Sequence, residues 1–326
     1  MHLLGEKNCD VLLKICIFVT KSIAMSKKVP KEFKDYLQTL KAKQGNNISL
    51  ANDFSTICDN KSVSEYEIKD MLKKSISRLA KMQDKLYAHD KYGILIVLQA
   101  MDAAGKDGAI KHVMKGLNPQ GVKVWSFKSP NSIELDHNYF WRHYSVLPAR
   151  GEISIFNRSH YENVLVTRVH PEYVVNEKLP GIEKPEDITR EFWKARYEQI
   201  NRFEKNLYEN GTIIIKFFLH ISKEEQRNRF LERINNPAKN WKFSSADSKE
   251  RKLWDSYMNV YEEMISATSN EDAPWFIIPA DEKWFARFCI ASIIVEETKK
   301  LNINYPEVDD NKREVLQQIK QELLNE

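Results

Sequence analysis

Five consecutive branched aliphatics, Ile94-Leu95-Ile96-Val97-Leu98, run without a break into Gln99-Ala100-Met101-Asp102-Ala103-Ala104-Gly105-Lys106-Asp107-Gly108. An apolar run with no alternation suits a strand covered on both faces, which means the middle of a parallel sheet. Weaker versions return at 122–127, 153–156, 213–219 and 275–278. Helical patterns fill the gaps at 106–117, 133–144, 189–208, 223–234, 247–268 and 282–299. Strands alternating with helices are βαβ units, so the predicted fold is α/β: a five-stranded parallel sheet with helices on both faces. Upstream, Ile68, Met71, Leu72, Ile76, Leu79 and Leu86 recur at helical steps between Ser64 and Asp90, and Ser64 with Glu67 predicts a capping box.

Nothing between Lys91 and Lys300 reads as a linker, so one domain is expected over 61–305. A partly disordered extension precedes it over 1–60, and a last helix follows within 306–326. The apolar stretch 11–25 is broken by Lys14 and Lys21 and falls short of the ~20 residues that span a bilayer. No clear cleavage site follows it, and Met25 opens like a soluble chain, so the natural start is expected there and no membrane partner is expected. Four cysteines without a CxxC pair suit reduced thiols in a cytoplasmic protein. With 50 Lys and Arg against 46 Asp and Glu, the formal charge of +4 excludes a histone-like binder of any polyanion.

A strand, a small-residue loop, then Gly105-Lys106 opening a helix is the context of a phosphate-binding loop. Amide N–H groups and the helix N-terminus cradle phosphate oxygens while the lysine reaches along the phosphates. Two positions depart from GxxxxGK[ST]: the first glycine is Ala100, and Asp107 stands where a hydroxyl would bind Mg²⁺. Asp102 is an anion inside an anion cradle. It is tolerable there if it holds Mg²⁺ or orients an attacking phosphate oxygen, the plainer alternative being a helix cap.

Asn157-Arg158-Ser159-His160-Tyr161-Glu162 follows the third strand, at the sheet edge where ligands bind. Arg158 there would stabilise transferring phosphoryl oxygens. Glu162 reads as a metal ligand, a ribose contact or a first-turn dipole partner. His160 reads as structural, since transfer between phosphates needs no strong base. Nine Lys and Arg against five acids fall within 222–252, and Asn235-Asn236-Pro237 stops a helix inside it. This is the pattern of a helical lid over about 222–268, or of a solvated pair of charged helices. Trp241 or Phe243 beside Lys242 could stack on a base. Lysines 106, 111, 115, 123 and 128 form a strip along which a long anion could lie.

Gln99–Gly108, Leu147-Pro148-Ala149-Arg150-Gly151, Phe156–Glu162, Val169-His170-Pro171, Trp241-Lys242-Phe243-Ser244 and Ile278-Pro279-Ala280-Asp281-Glu282-Lys283-Trp284 together closely resemble the polyphosphate kinase 2 family. The likeness covers roughly 64–300, and the altered loop is what this family shows. It implies a three-layer P-loop kinase fold with a helical lid, Mg²⁺ (with Mn²⁺ as a substitute), and reversible phosphoryl transfer from inorganic polyphosphate to a nucleotide. The wording of both motifs looks most like the class that accepts AMP and ADP; guanine nucleotides stay open.

On this resemblance Asp102, Lys106 and Arg158 are the expected catalytic residues, and Asp102 and Glu162 the expected metal ligands. Phosphate contacts are expected from Ala103, Ala104, Gly105, Asp107 and Gly108, and from Lys111, Lys115, Lys128 and Arg168. Nucleotide contacts are expected from Asn157, Glu162, Arg229, Arg233, Lys242 and Arg251. Self-association into a dimer or tetramer is implied, and nucleic acid is not an expected partner. An ATP-dependent nucleoside monophosphate kinase is the rival enzyme, and a non-catalytic polyanion binder the rival of another class.

Overall fold

The protein is seen in a computed structural model that describes residues 31–58 and 63–326. The expectations about residues 1–24 and a start at Met25 lie outside the described residues. The chain divides at residue 40 into two compact units. In the first, the described part is a helix, Lys31–Thr39. The second unit begins at Lys41, well before the boundary expected near 61. Backbone and side-chain bonds hold its first residues in place: Ala42 N–H to the Trp275 carbonyl (2.9 Å) and Ile48 N–H to Ser266 Oγ (2.9 Å).

Five strands, β1 (Gly93–Ala100), β2 (Val122–Ser126), β3 (Ile153–Asn157), β4 (Thr212–His220) and β5 (Trp275–Pro279), form one parallel sheet in the order β2-β3-β1-β4-β5. All eight residues of β1 are buried, as its unbroken apolar run requires of the central strand. Eight helices matter below: α1 (Glu65–His89), α2 (Lys106–Val113), α3 (Arg190–Glu209), α4 (Lys223–Asn235), α5 (Ser245–Lys252), α6 (Trp254–Thr268), α7 (Lys283–Lys299) and α8 (Asp310–Leu324). α7 packs on α1 and α2, while α3 packs on β4 and α6. The capping box at Ser64 and Glu67 is present, and Asp90 ends α1 in the left-handed region.

Three expected helices differ. The span 133–144 is two short turns, Ser132–Leu135 and Trp141–Tyr144, because the Asn138 side chain accepts from Phe140 N–H (2.9 Å) and so turns the chain between them. The span 247–268 breaks at Leu253, and its first half begins earlier, where Ser244 and Asp247 make a capping box. α2 stops at Val113 rather than 117, ahead of Gly116 at φ +94°. Among the described residues no helix is long and apolar enough to cross a membrane.

The sheet register places Ala100, Ser126, Asn157 and His220 at one carboxyl edge. Burial holds His143 and His160 below the ordinary histidine range and pushes His220 down to about 4. Below the ordinary value of 6.5 the unfolded chain takes up protons that the fold refuses. Stability is therefore full above that value and falls as pH drops toward about 4. Urea midpoints should decline steadily across this window, and His220→Gln should flatten part of the slope.

Candidate active site

Between β1 and α2 the chain turns twice through the left-handed region, at Ala103 (φ +63°) and Gly105 (φ +105°). For alanine this conformation is unfavourable by about 1–2 kcal/mol, so neighbours must impose it. They do so from beneath. Arg229 of α4 is buried, and its guanidinium donates to the carbonyls of Ala103 (3.0 Å), Ala104 (2.8 Å), Ala280 (2.7 Å) and Asp281 (2.8 Å), while its Nε–H donates to Glu225 (2.7 Å). All five donors of the side chain are engaged by protein. Gln226, the fourth residue of the same helix, donates to the Asp102 carbonyl (3.0 Å) and accepts from Arg251 (2.8 Å). Lys106 lies at the head of α2, half-buried, with its ammonium on the Ala100 carbonyl (2.8 Å). Burial first, then Arg158, pulls its pKa below the usual lysine value, and Asp102, Glu162 and Asp107 oppose the shift.

Arg158 follows β3 at φ +62°, its N–H on the Leu98 carbonyl (3.1 Å) of β1. Its guanidinium lies 3.3 Å from Asp102 and 3.9 Å from Glu162. The two expected metal ligands are thus both tied to one arginine. Glu162 and then Asp102 raise the arginine pKa against burial, and burial raises that of Glu162 against Arg158 and Lys106. Asp107, which replaces the expected hydroxyl, accepts from Asn157 Nδ2 (2.8 Å). The substitution therefore ties α2 to the end of β3.

A cleft of about 800 Å³ opens over the loop, lined by 102–108 and by Lys128, Asn157, Arg158, Arg233 and Lys242, all expected site residues. It also collects residues that sequence reasoning left out: Lys239, Asp247 and Lys283. Burial and then the Asp102 charge raise the Asp247 carboxyl above its usual range, so two carboxylates repel each other across this cleft. Asp247 also closes the capping box of α5 with Ser244. A second cavity of about 280 Å³ adjoins it, lined by Glu134, Leu135, His137, Tyr139, Glu162, Tyr173 and Glu177 among others. Lys128, Ser129 and Arg158 line both spaces.

Several expected contacts are placed elsewhere. Arg229 is a strut under the loop with no donor left for a nucleotide. Arg251 holds α5 to the start of α4 through the Lys223 carbonyl (2.7 Å) and lines neither space. Arg168 stacks on Trp193 (4.9 Å) and pairs with Glu263 (3.3 Å), also outside both. Lys111 and Lys115 are exposed beyond the cleft, and Lys123 is paired with Glu152 (2.8 Å), so the lysine strip narrows to Lys106 and Lys128. Phe243 packs edge-on against Phe230, whereas Trp241 is 77 % exposed at the cleft. Of the segment expected as a lid, α6 buries Trp254, Tyr257, Tyr261 and Met264, and α4 is pinned by Arg229. The exposed part runs from about 236 to 252.

A phosphate loop on the central strand, an arginine facing it from the next strand, and a cationic cleft above define a P-loop phosphotransferase. The description "Polyphosphate kinase 2 (PPK2)" is that of the family model matching residues 62–306, and the chain belongs to this family. It is 49% identical over 255 residues to the ADP-polyphosphate phosphotransferase of Rhodopseudomonas palustris, covering 78% of this chain and 87% of that one. It is 46% identical over 230 residues to the AMP/ADP-polyphosphate phosphotransferase of Meiothermus ruber, covering 71% and 80%. Among solved structures, polyphosphate kinase 2 from Arthrobacter aurescens TC1 superposes with a TM-score of 0.76 at 34% identity, covering 86% of this chain and 95% of that one. The α/β sheet and the resemblance read from the motifs are both borne out.

Removing the strut tests its role. Arg229→Ala leaves four carbonyls without a donor and should lower stability by about 3 kcal/mol, a fall of roughly 5 °C in Tm. An arginine that met only substrate would leave Tm unchanged.

Proposed function

We propose that the protein transfers a phosphoryl group from inorganic polyphosphate to ADP and AMP, reversibly and with Mg²⁺. The observation that carries this reading is that two chemically different spaces meet at Arg158. The larger is open and ringed by Lys106, Lys128, Arg233, Lys239, Lys242 and Lys283, which suits a chain of phosphates without a base to recognise. The smaller mixes aliphatic, aromatic and carboxylate side chains, which suits a nucleoside. The nucleotide then enters from the Glu162 side rather than under the lid. Its terminal phosphate meets the polyphosphate end beside Arg158, Lys106 and Asp102.

In the transfer, an oxygen of the nucleotide's terminal phosphate attacks the last phosphorus of the polyphosphate. The bond to the bridging oxygen breaks, and the shortened polyphosphate leaves with that electron pair. The cleaved and formed bonds are both phosphoanhydrides, so the reaction runs either way. Lys106 and Arg158 neutralise charge on the moving phosphoryl oxygens, and loop N–H groups hold the donor in line. Among the described residues no three His, Cys, Asp or Glu side chains gather as a metal cage. That suits Mg²⁺, which commonly takes one or two carboxylates and completes its shell with phosphates and water. Asp102 and Asp247 both line the open cleft and would hold such an ion there, whereas Glu162 lines the smaller cavity. Bound there, Mg²⁺ would offset the phosphate charge.

Purified protein with long-chain polyphosphate, Mg²⁺ and either ADP or AMP, free of ATP, should form ATP or ADP; GDP and GMP run beside them read base choice. No product from polyphosphate, with ADP formed from ATP and AMP, would support an ordinary monophosphate kinase instead. Asp102→Asn should lower kcat by about 1,000-fold while polyphosphate still binds, whereas a non-catalytic binder would have no turnover to lose.

A further inference from the structure

Lys216 sits in the middle of β4 with no solvent exposure. Its ammonium donates to Glu204 Oε2 (2.6 Å), to the Tyr161 hydroxyl (2.8 Å) and to the Thr268 carbonyl (2.8 Å), which uses all three N–H groups. Glu204, on α3, is equally buried. Its other oxygen accepts from the Tyr161 hydroxyl (2.8 Å) and lies 3.3 Å from His160 Nε2. Burial works against charge on Glu204, but Lys216 and His160 together hold its carboxyl below the usual range. No step of the proposed transfer uses any of these four groups.

Their place in the chain gives them a task. His160 and Tyr161 stand between Arg158 and Glu162, in the short turn that leaves β3. That turn begins with Arg158 in the left-handed region, a conformation that persists only where surroundings impose it. Ser159 secures one side, accepting from Gln99 Nε2 (3.1 Å) and from Tyr161 N–H (3.2 Å). The Glu204–Lys216 pair secures the other through two successive side chains. Fold stability does not account for an ion pair here, because apolar residues of similar volume commonly serve a buried site as well or better. Directional bonds to a hydroxyl and an imidazole do account for it.

We propose that Glu204 and Lys216 are positioning residues for phosphoryl transfer: through Tyr161 and His160 they fix the turn that aims the Arg158 guanidinium at the reacting phosphates and the Glu162 carboxylate into the smaller cavity beside them. This rests on the phosphotransfer reading. Neither residue touches substrate, so the effect is on turnover and not on capture of the polyphosphate in the cleft.

The test compares Tyr161→Phe, which removes one hydroxyl, with the double variant Glu204→Leu/Lys216→Met, which replaces the pair by apolar side chains. The double variant should melt within about 5 °C of the parent, with kcat down by about 100-fold and KM for polyphosphate changed less than about threefold. Tyr161→Phe should lose about 10-fold in kcat at unchanged KM. A crystal structure of the double variant should show Arg158 displaced from Asp102. A folded double variant with parental kcat overturns the proposal, and so does Tyr161→Phe with parental kcat if the double variant does not fold. If the parent protein itself moves no phosphoryl group from polyphosphate, it is the functional reading that fails. The position of Arg158 in the double variant then still decides the present proposal: unmoved, it is wrong.

Discussion

One buried guanidinium underlies the phosphate loop. Four carbonyls, two from the loop and two from the segment after β5, converge on Arg229, and Glu225 neutralises it. A loop built to present N–H groups to an anion necessarily turns carbonyls the other way, into the protein, where each needs a donor. Arg229 supplies four such bonds from one rigid plane and so holds Ala103 in a backbone conformation that alanine resists. The same helix carries Gln226 to the Asp102 carbonyl and, through Arg251, the exposed helix α5. The loop, the first turns of α4 and the last turn of α5 are therefore one hydrogen-bonded body.

Above the loop, charge is arranged in opposition. Asp102 is drawn to Arg158 at 3.3 Å and repels Asp247, while Lys106 is turned back on the Ala100 carbonyl. On the proposed reading, an anionic chain in the cleft would compete with Glu232 for Lys239 and Lys283, and a divalent ion would compete with Arg158 and Arg233 for Asp102 and Asp247. Such a site gains most from the two ligands arriving together, in keeping with a donor that is itself a metal-binding polyanion.

Much of this was legible in the sequence because it depends on local pattern. The run Ile94–Leu98 is buried on both faces, the box at Ser64 and Glu67 caps α1, and α8, at 310–324, falls within the expected 306–326. The cradle itself follows from a strand meeting Gly105-Lys106. What sequence did not disclose depends on contacts distant along the chain. Arg229, read as a lid cation, lies some 125 residues from the loop carbonyls it serves, and nothing in its neighbours separates a buried arginine from an exposed one. Arg168 and Arg251 likewise find partners far along the chain, Glu263 and the Lys223 carbonyl. Asp247 as a cleft carboxylate, and Lys216 inside an apolar strand, needed the fold to bring their partners near. The helix break at Asn138 was a local signal overlooked, since Asp136-His137-Asn138 favours a turn.

On the proposed reaction, Asp102 stands in an anion cradle because it shares a divalent ion with phosphate. A crystal structure with ADP, tripolyphosphate and Mn²⁺, whose anomalous signal locates the metal, tests it most directly. The expected result is a metal within about 2.2 Å of an Asp102 oxygen, with phosphate oxygens on the amides of residues 103–106. A phosphate chain bound elsewhere, with Asp102 still held only by Arg158 and no metal beside it, would contradict the account.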